Sequence, residues 1–166
     1  PPVVQLQDNL GDPVATSGGG ITASIASGPG GTLSGGTIAL TDVNGRATFG
    51  PSNLIITGPT GSYTLQFNGA SLTGVTSSAI SLTAGSAAQL FVSAQLATPQ
   101  SGLAFTTAPA VQVQDVACNP VAGAGRSVIV SLLSGSGTLT GTLTQSTNAS
   151  GVATFPSLVL TGTIGP

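Results

Sequence analysis

The chain has 166 residues, and charged side chains make up only 4% of them, with a net charge of −2. Ordinary soluble domains carry roughly 25% charged residues. There is no Lys, Glu, His, Met or Trp, so no basic patch exists to hold phosphates, and nucleic acid is excluded as an expected partner. No apolar run approaches the roughly 20 residues that a spanning helix needs, so membrane insertion is not expected.

In chain order, Val4 and Leu6 alternate with Gln5 and Gln7, the pattern of a half-buried strand. Residues 8–12 read as a turn, and Pro13 opens the next segment with its φ already set. Ile21, Ala23 and Ile25 alternate with Thr22 and Ser24 as a second strand. Gly28-Pro29-Gly30-Gly31 excludes regular structure, and residues 37–41 form a weak strand. Asp42-Val43-Asn44-Gly45 is a turn, because Asn-Gly takes positive φ at low cost. Residues 46–49 and 54–57 are strands on either side of a break at Pro51. Tyr63, Leu65 and Phe67 alternate with Thr64 and Gln66, the clearest strand of the chain. Residues 77–83 read as one further strand, and 88–92 as another. No window has helical spacing with caps. Short strands at roughly 8–12-residue intervals, separated by turn residues, predict antiparallel β-sandwiches.

The chain also repeats itself. Val111-Gln112-Val113-Gln114-Asp115 stands 107 positions after Val4-Gln5-Leu6-Gln7-Asp8, as Pro120-Val121 does after Pro13-Val14. Val128 to Ser131 answers Ile21 to Ser24 at the same offset, and Gly151 to Phe155 answers Gly45 to Phe49 one position closer. The gaps fall at Gly, Pro and Asn, where loops change length freely. A period of this size means tandem domains, expected at residues 1–85 and 86–166 with the boundary at Gly85-Ser86.

Thr41-Asp42-Val43-Asn44-Gly45-Arg46-Ala47-Thr48-Phe49 resembles the signature hairpin of bacterial immunoglobulin-like repeats of the invasin/intimin type. Residues 147–155 repeat it, and the Gln-Asp…Pro-Val phrase of each copy is similar to the same family. The resemblance spans nearly the whole chain. It implies tandem Ig-like antiparallel β-sandwiches, used mainly as rods in extracellular and cell-surface adhesins and fibres.

Missing residue types exclude most chemistry. Acid–base catalysis and nucleophile activation usually draw on His, Glu or Lys, so an enzyme is not expected and no catalytic residue is assigned. Cys118 lacks a His to activate it, and one Cys cannot build a zinc site. Without Lys, no Lys–Asn isopeptide staple forms. Two readings stand for the carboxylates Asp8, Asp12 and Asp115: weak Ca²⁺ ligands at a domain junction, or turn-forming side chains. The turn reading is favoured, because no dense oxygen-ligand motif is present, and no cofactor is expected beyond that Ca²⁺ candidate. Cys118 faces Gly11 of the first copy. A free thiol is favoured over an intermolecular disulfide, since a structural bridge would recur in both copies. Asn148-Ala149-Ser150 is a formal glycosylation sequon in a turn. Tyr63, Phe49, Phe67, Phe91, Phe105 and Phe155 could stack sugars, but most of them sit at inward strand positions and read as core.

Three functions compete as expectations. The first is a structural subunit of an extracellular bacterial fibre, tube or surface layer. The second is an Ig-like stalk or adhesive segment of a large surface adhesin. The third is a carbohydrate-binding module attached to a secreted enzyme. A chain with so little charge is poorly defended against association, which favours the first. Residues 86–109 precede the second copy's Val111 phrase and have no counterpart in the first copy. Residues 62–85 close the first copy and have none in the second. Both sandwiches are therefore expected to be incomplete at the chain ends. The missing strands would come from copies of the chain in a homopolymer, or from flanking repeats of a longer chain.

Overall fold

A computed structural model describes residues 1–50, 54–95 and 100–162. The expected break at Pro51 lies outside them. The described residues are all-β and antiparallel, with no helix. The chain divides into two compact units, Pro1–Thr83 and Ala84–Pro166.

The first unit contains three ladders that the second unit repeats. Strand β1 (Val3–Gln5) pairs with β5 (Arg46–Thr48), setting Val4 opposite Ala47. Strand β2 (Gly20–Ser27) pairs with β4 (Ile38–Leu40), setting Ile21 opposite Ala39. Strand β3 (Thr32–Gly35) pairs with β6 (Leu54–Thr57), setting Leu33 opposite Ile56. In the second unit β11 (Ala110–Gln114) pairs with β15 (Val152–Thr154), with Val111 opposite Ala153. There β12 (Ser127–Ile129) pairs with β14 (Thr144–Ser146), with Val128 opposite Gln145. Last, β13 (Thr138–Thr140) pairs with β16 (Val159–Thr161), with Leu139 opposite Leu160. These are the repeat-equivalent residues in the same register. A slip of one residue would turn every apolar side chain outward, so the shared hydrophobic pattern holds both copies to one pairing.

Among the described residues, each unit then adds strands that the other does not show. In the first, β7 (Gly61–Gly69) lies along the second edge of β2, with Ala23 opposite Phe67. Strands β8 (Val75–Thr76) and β9 (Ile80–Leu82) both pair with β7. In the second, β10 (Gln89–Ala94) covers the second edge of β11, with Leu90 opposite Val113. Among the described residues, β1 pairs only with β5, and β12 only with β14.

Residues 77–83 thus do not form one strand, and the cause is local. The Ser77 backbone N–H donates to Leu65 O at 2.8 Å, while its hydroxyl accepts the Leu65 N–H at 2.9 Å. A side chain occupies the ladder position that a carbonyl would fill, and the chain is displaced until Ile80 pairs again with Tyr63.

The first core gathers Ile21, Ala23, Ala47, Phe49, Leu65 and Phe67, with Leu33, Leu54 and Ile56 packed against it. The Phe49 and Phe67 rings meet at 5.1 Å and 53°, a tilted geometry that aromatic quadrupoles favour. Period-two alternation builds this core: along β7, Tyr63, Leu65 and Phe67 are buried while the residues between them are less so. The second core is smaller, made of Val128, Ala153, Phe155 and Leu158, with Phe105, Val111, Val130 and Leu139 against it.

Candidate functional site

Two features organise each unit: a clamped hairpin that recurs, and a sheet edge that differs. In the hairpin, Asp42 Oδ1 accepts the backbone N–H groups of Asn44 at 2.8 Å and Arg46 at 3.0 Å. Asn148 Oδ1 does the same for Ser150 at 2.9 Å and Val152 at 3.0 Å. Gly45 and Gly151 follow with φ of 73° and 77°. A Cβ there would lie 1.8 Å from Val14 O in the first copy and 2.0 Å from Val121 O in the second, so only glycine fits. The sequon Asn148 is therefore a turn-forming side chain.

The buried hydroxyl of Thr41 donates to Thr16 O at 2.7 Å and accepts the Gly19 N–H at 2.8 Å. Thr147 donates to Gly123 O at 2.7 Å and accepts the Arg126 N–H at 3.1 Å. Gln5 Nε2 donates to Asn44 O at 3.0 Å and Leu6 O at 3.1 Å, and Gln112 Nε2 to Ser150 O at 3.1 Å and Val113 O at 2.9 Å. The recurring phrases of the sequence are thus two halves of one lock. The Gln of the first phrase satisfies the carbonyls of the turn in the second, leaving few backbone groups unpaired.

The carboxylates are held by turns. Asp8 Oδ1 accepts Leu10 N–H at 2.9 Å and Asp12 N–H at 3.0 Å, and Asp8 N–H returns to Asp12 O at 3.0 Å. These donors, Leu10 first, hold the Asp8 carboxyl below its ordinary value. Asp115 is buried. Its Oδ1 accepts Asn119 N–H at 2.8 Å and Ala117 N–H at 2.9 Å. Its Oδ2 accepts Asn119 Nδ2 at 3.0 Å and Gly85 N–H at 2.9 Å. Led by the Asn119 side chain, these bonds lower its pKa from 3.8 to about 2. Asp8 and Asp12 share one turn, and no cluster of three metal-ligating side chains occurs among the described residues.

Cys118 is an exposed free thiol that accepts a hydrogen bond from Gln89 Nε2 at 3.1 Å. It carries φ of 64° where Gly11 has 91°, so the second copy keeps the left-handed turn without the glycine. Of the six aromatics, Tyr63, Phe49, Phe67 and Phe155 are buried, and Phe105 packs against the second core. Phe91 is the exception, at 54% exposure.

The differing edge lies beside a groove. Leu6 N–H donates to Gly45 O and Phe49 N–H to Pro2 O, so Pro2, Val4 and Leu6 turn toward β5. By antiparallel alternation, Val3 and Gln5 present their N–H and C=O groups to the opposite side. A groove of about 830 Å³ is lined by residues 2–9, by Ile21, Phe67 and Leu72, and by residues 75–78. Asp8 is the one charged residue in its lining. The sequence did not locate this groove, part of whose lining comes from the interrupted stretch around Ser77.

Comparison of the chain with protein-family models, curated proteins and solved structures finds no match.

Proposed function

We propose that the chain is a pair of Ig-like β-sandwich repeats that serves as a structural subunit of an extracellular bacterial fibre, tube or surface layer. In this reading the units build the assembly through β-edge and sandwich contacts, at or beyond the cell surface, without catalysis. The observation that carries it is the sparse charge, 4% of residues, in a chain whose strand β10 leaves Leu90, Phe91 and Val92 at 59%, 54% and 45% exposure. Exposed edges are normally blunted by charge, proline or a covering segment. Among the described residues β10 pairs along one edge only, and it carries neither charge nor proline. The clamped hairpins fit the same role, since a module that bears load benefits from turns whose carbonyls are tied by side chains. The test is light scattering across a concentration series, with negative-stain microscopy of the same samples. Regular polymers that grow with concentration support the reading. A monodisperse particle at every concentration overturns it.

The duplicated framework also favours an Ig-like stalk within a larger adhesin, because tandem repeats extend a chain with little new design. In that case residues 1–166 stay single at high concentration while each unit folds cooperatively.

A further inference from the structure

The first hairpin encloses a bond with chemistry of its own. Asn44-Gly45 is one of two Asn-Gly pairs in the chain, and Asn68-Gly69 is the other. Such a pair can modify itself, because glycine has no side chain to shield its amide nitrogen. That nitrogen attacks the Asn side-chain carbonyl carbon, ammonia leaves with the amide proton, and a succinimide ring remains. Water then opens the ring to Asp or to isoaspartate, in which the backbone runs through the former side chain. In the folded hairpin the groups that must move are tied. Asn44 is exposed, whereas Gly45 is buried. Gly45 N–H donates to Asp42 O at 3.0 Å. Asn44 N–H is held by Asp42 Oδ1 at 2.8 Å, and Asn44 O by Gln5 Nε2 at 3.0 Å, which fixes the peptide plane between Asn44 and Gly45. At the same turn position the second copy carries Ser150 before Gly151, and serine has no amide to lose.

We propose that Asn44 is a self-modification site, deamidated through the Gly45 nitrogen when the hairpin opens and protected while Asp42 and Gln5 hold it closed. The site acts within one chain and does not depend on assembly. Attack needs the Gly45 nitrogen freed from Asp42 O and the Asn44 peptide rotated, so the rate follows the open population of the hairpin. The product damages the same lock. An isoaspartate lengthens the backbone between residues 44 and 45. Gly45 O is then displaced from Leu6 N–H, which it accepts at 2.9 Å. Deamidation also adds a negative charge to a chain whose net charge is −2. The molecule thus carries a hairpin that ages chemically and a homologous hairpin that does not.

The test is peptide mapping by mass spectrometry during incubation at mildly alkaline pH. Asn68 is the internal reference, since it lies in β7 opposite Thr22 and takes no part in the hairpin. Asn44 should persist in the folded wild type and convert in urea-unfolded protein. Asp42→Ala removes the side-chain clamp and should speed conversion of Asn44 in folded protein by about tenfold, with Asn68 unchanged. Asp42→Asn should return the wild-type rate, because Asn148 makes the same clamp in the second copy. Gln5→Ala lies outside the turn and should also speed conversion, which keeps the test decisive if Asp42→Ala fails to fold by circular dichroism. In the modified chain, separated by its added charge, the Leu6 amide should lose exchange protection. Its counterpart Val113 N–H, bonded to Gly151 O at 3.0 Å, should keep it. An Asn44 that stays intact in urea overturns the site. Conversion as fast in folded as in unfolded wild type, or unchanged in the folded clamp variants, overturns the protection. Equal acceleration at Asn68 means global unfolding and overturns it too.

Discussion

Phe49 and Phe155 occupy the same place in the two units, each one residue beyond its equivalent strand, β5 or β15, and each almost fully buried. Their neighbourhoods differ. Phe49 meets Phe67 on β7, within a core that also holds Leu65, Ala23 and Ile21. Phe155 packs with Val128, Ala153 and Leu158, and the second unit brings no counterpart of β7 to it among the described residues. One framework of six strands thus carries different added strands in the two units. The framework fixes turns and register, and the added strands decide how much core surrounds each anchor.

The largest expected effect comes from truncating the anchors. Phe49→Ala and Phe155→Ala should each cost about 3–5 kcal/mol, with Phe49 toward the upper end because its cavity would be held open by β7. Chemical denaturation followed by amide exchange in each unit measures both. A loss below about 1 kcal/mol at either site would mean that its ring is not an anchor. Next come the hairpin glycines. Gly45→Ala and Gly151→Ala force a side chain into positive φ and against a carbonyl, so each should lose more than about 1–2 kcal/mol. Equal losses would confirm that the lock is the same in both copies. Tyr63→Phe should cost about 1–2 kcal/mol in the first unit alone. Its hydroxyl donates to Pro59 O at 2.7 Å and also bonds Gly30 O, and the second unit would be unaffected.

The smallest effect is a pH dependence. Asp115 is ionised and hydrogen-bonded in the folded unit, with its pKa lowered from 3.8 to about 2. Its contribution is therefore fully present above about pH 4 and is lost as pH falls toward about 2. Acid titration of the second unit's stability should slope downward through that window, and Asp115→Asn should flatten the slope. Asp8 is shifted in the same direction, so a smaller slope in the first unit should persist in that variant.

Much of this framework was legible from alternation and self-similarity. Ile21-Thr22-Ala23-Ser24-Ile25 and Tyr63-Thr64-Leu65-Gln66-Phe67 read as strands because each sends its apolar side chains to one face. Strand β3 was not legible. In Thr32-Leu33-Ser34-Gly35 a single apolar residue is half-buried, which gives no period to detect. The break at Ser77 was hidden because a hydroxyl standing in for a backbone carbonyl leaves no trace in hydropathy. Phe91 read as core from its apolar neighbours, yet it faces outward, because the sequence does not state which layers reach β10. The Gln5 and Gln112 clamps left a usable signal: a polar residue recurring at one place in both copies, across from the turn that also recurs. The groove had no local signal, since its walls come from residues about 70 positions apart.

The most direct measurement is the mass of the protein across a concentration series, with residue-specific amide exchange along β10 followed in the same samples. The expected result is a mass that grows with concentration while protection along β10 rises, beside slow exchange at the paired Val4 and Val111 throughout. A mass that stays at 15.8 kDa at every concentration would contradict it.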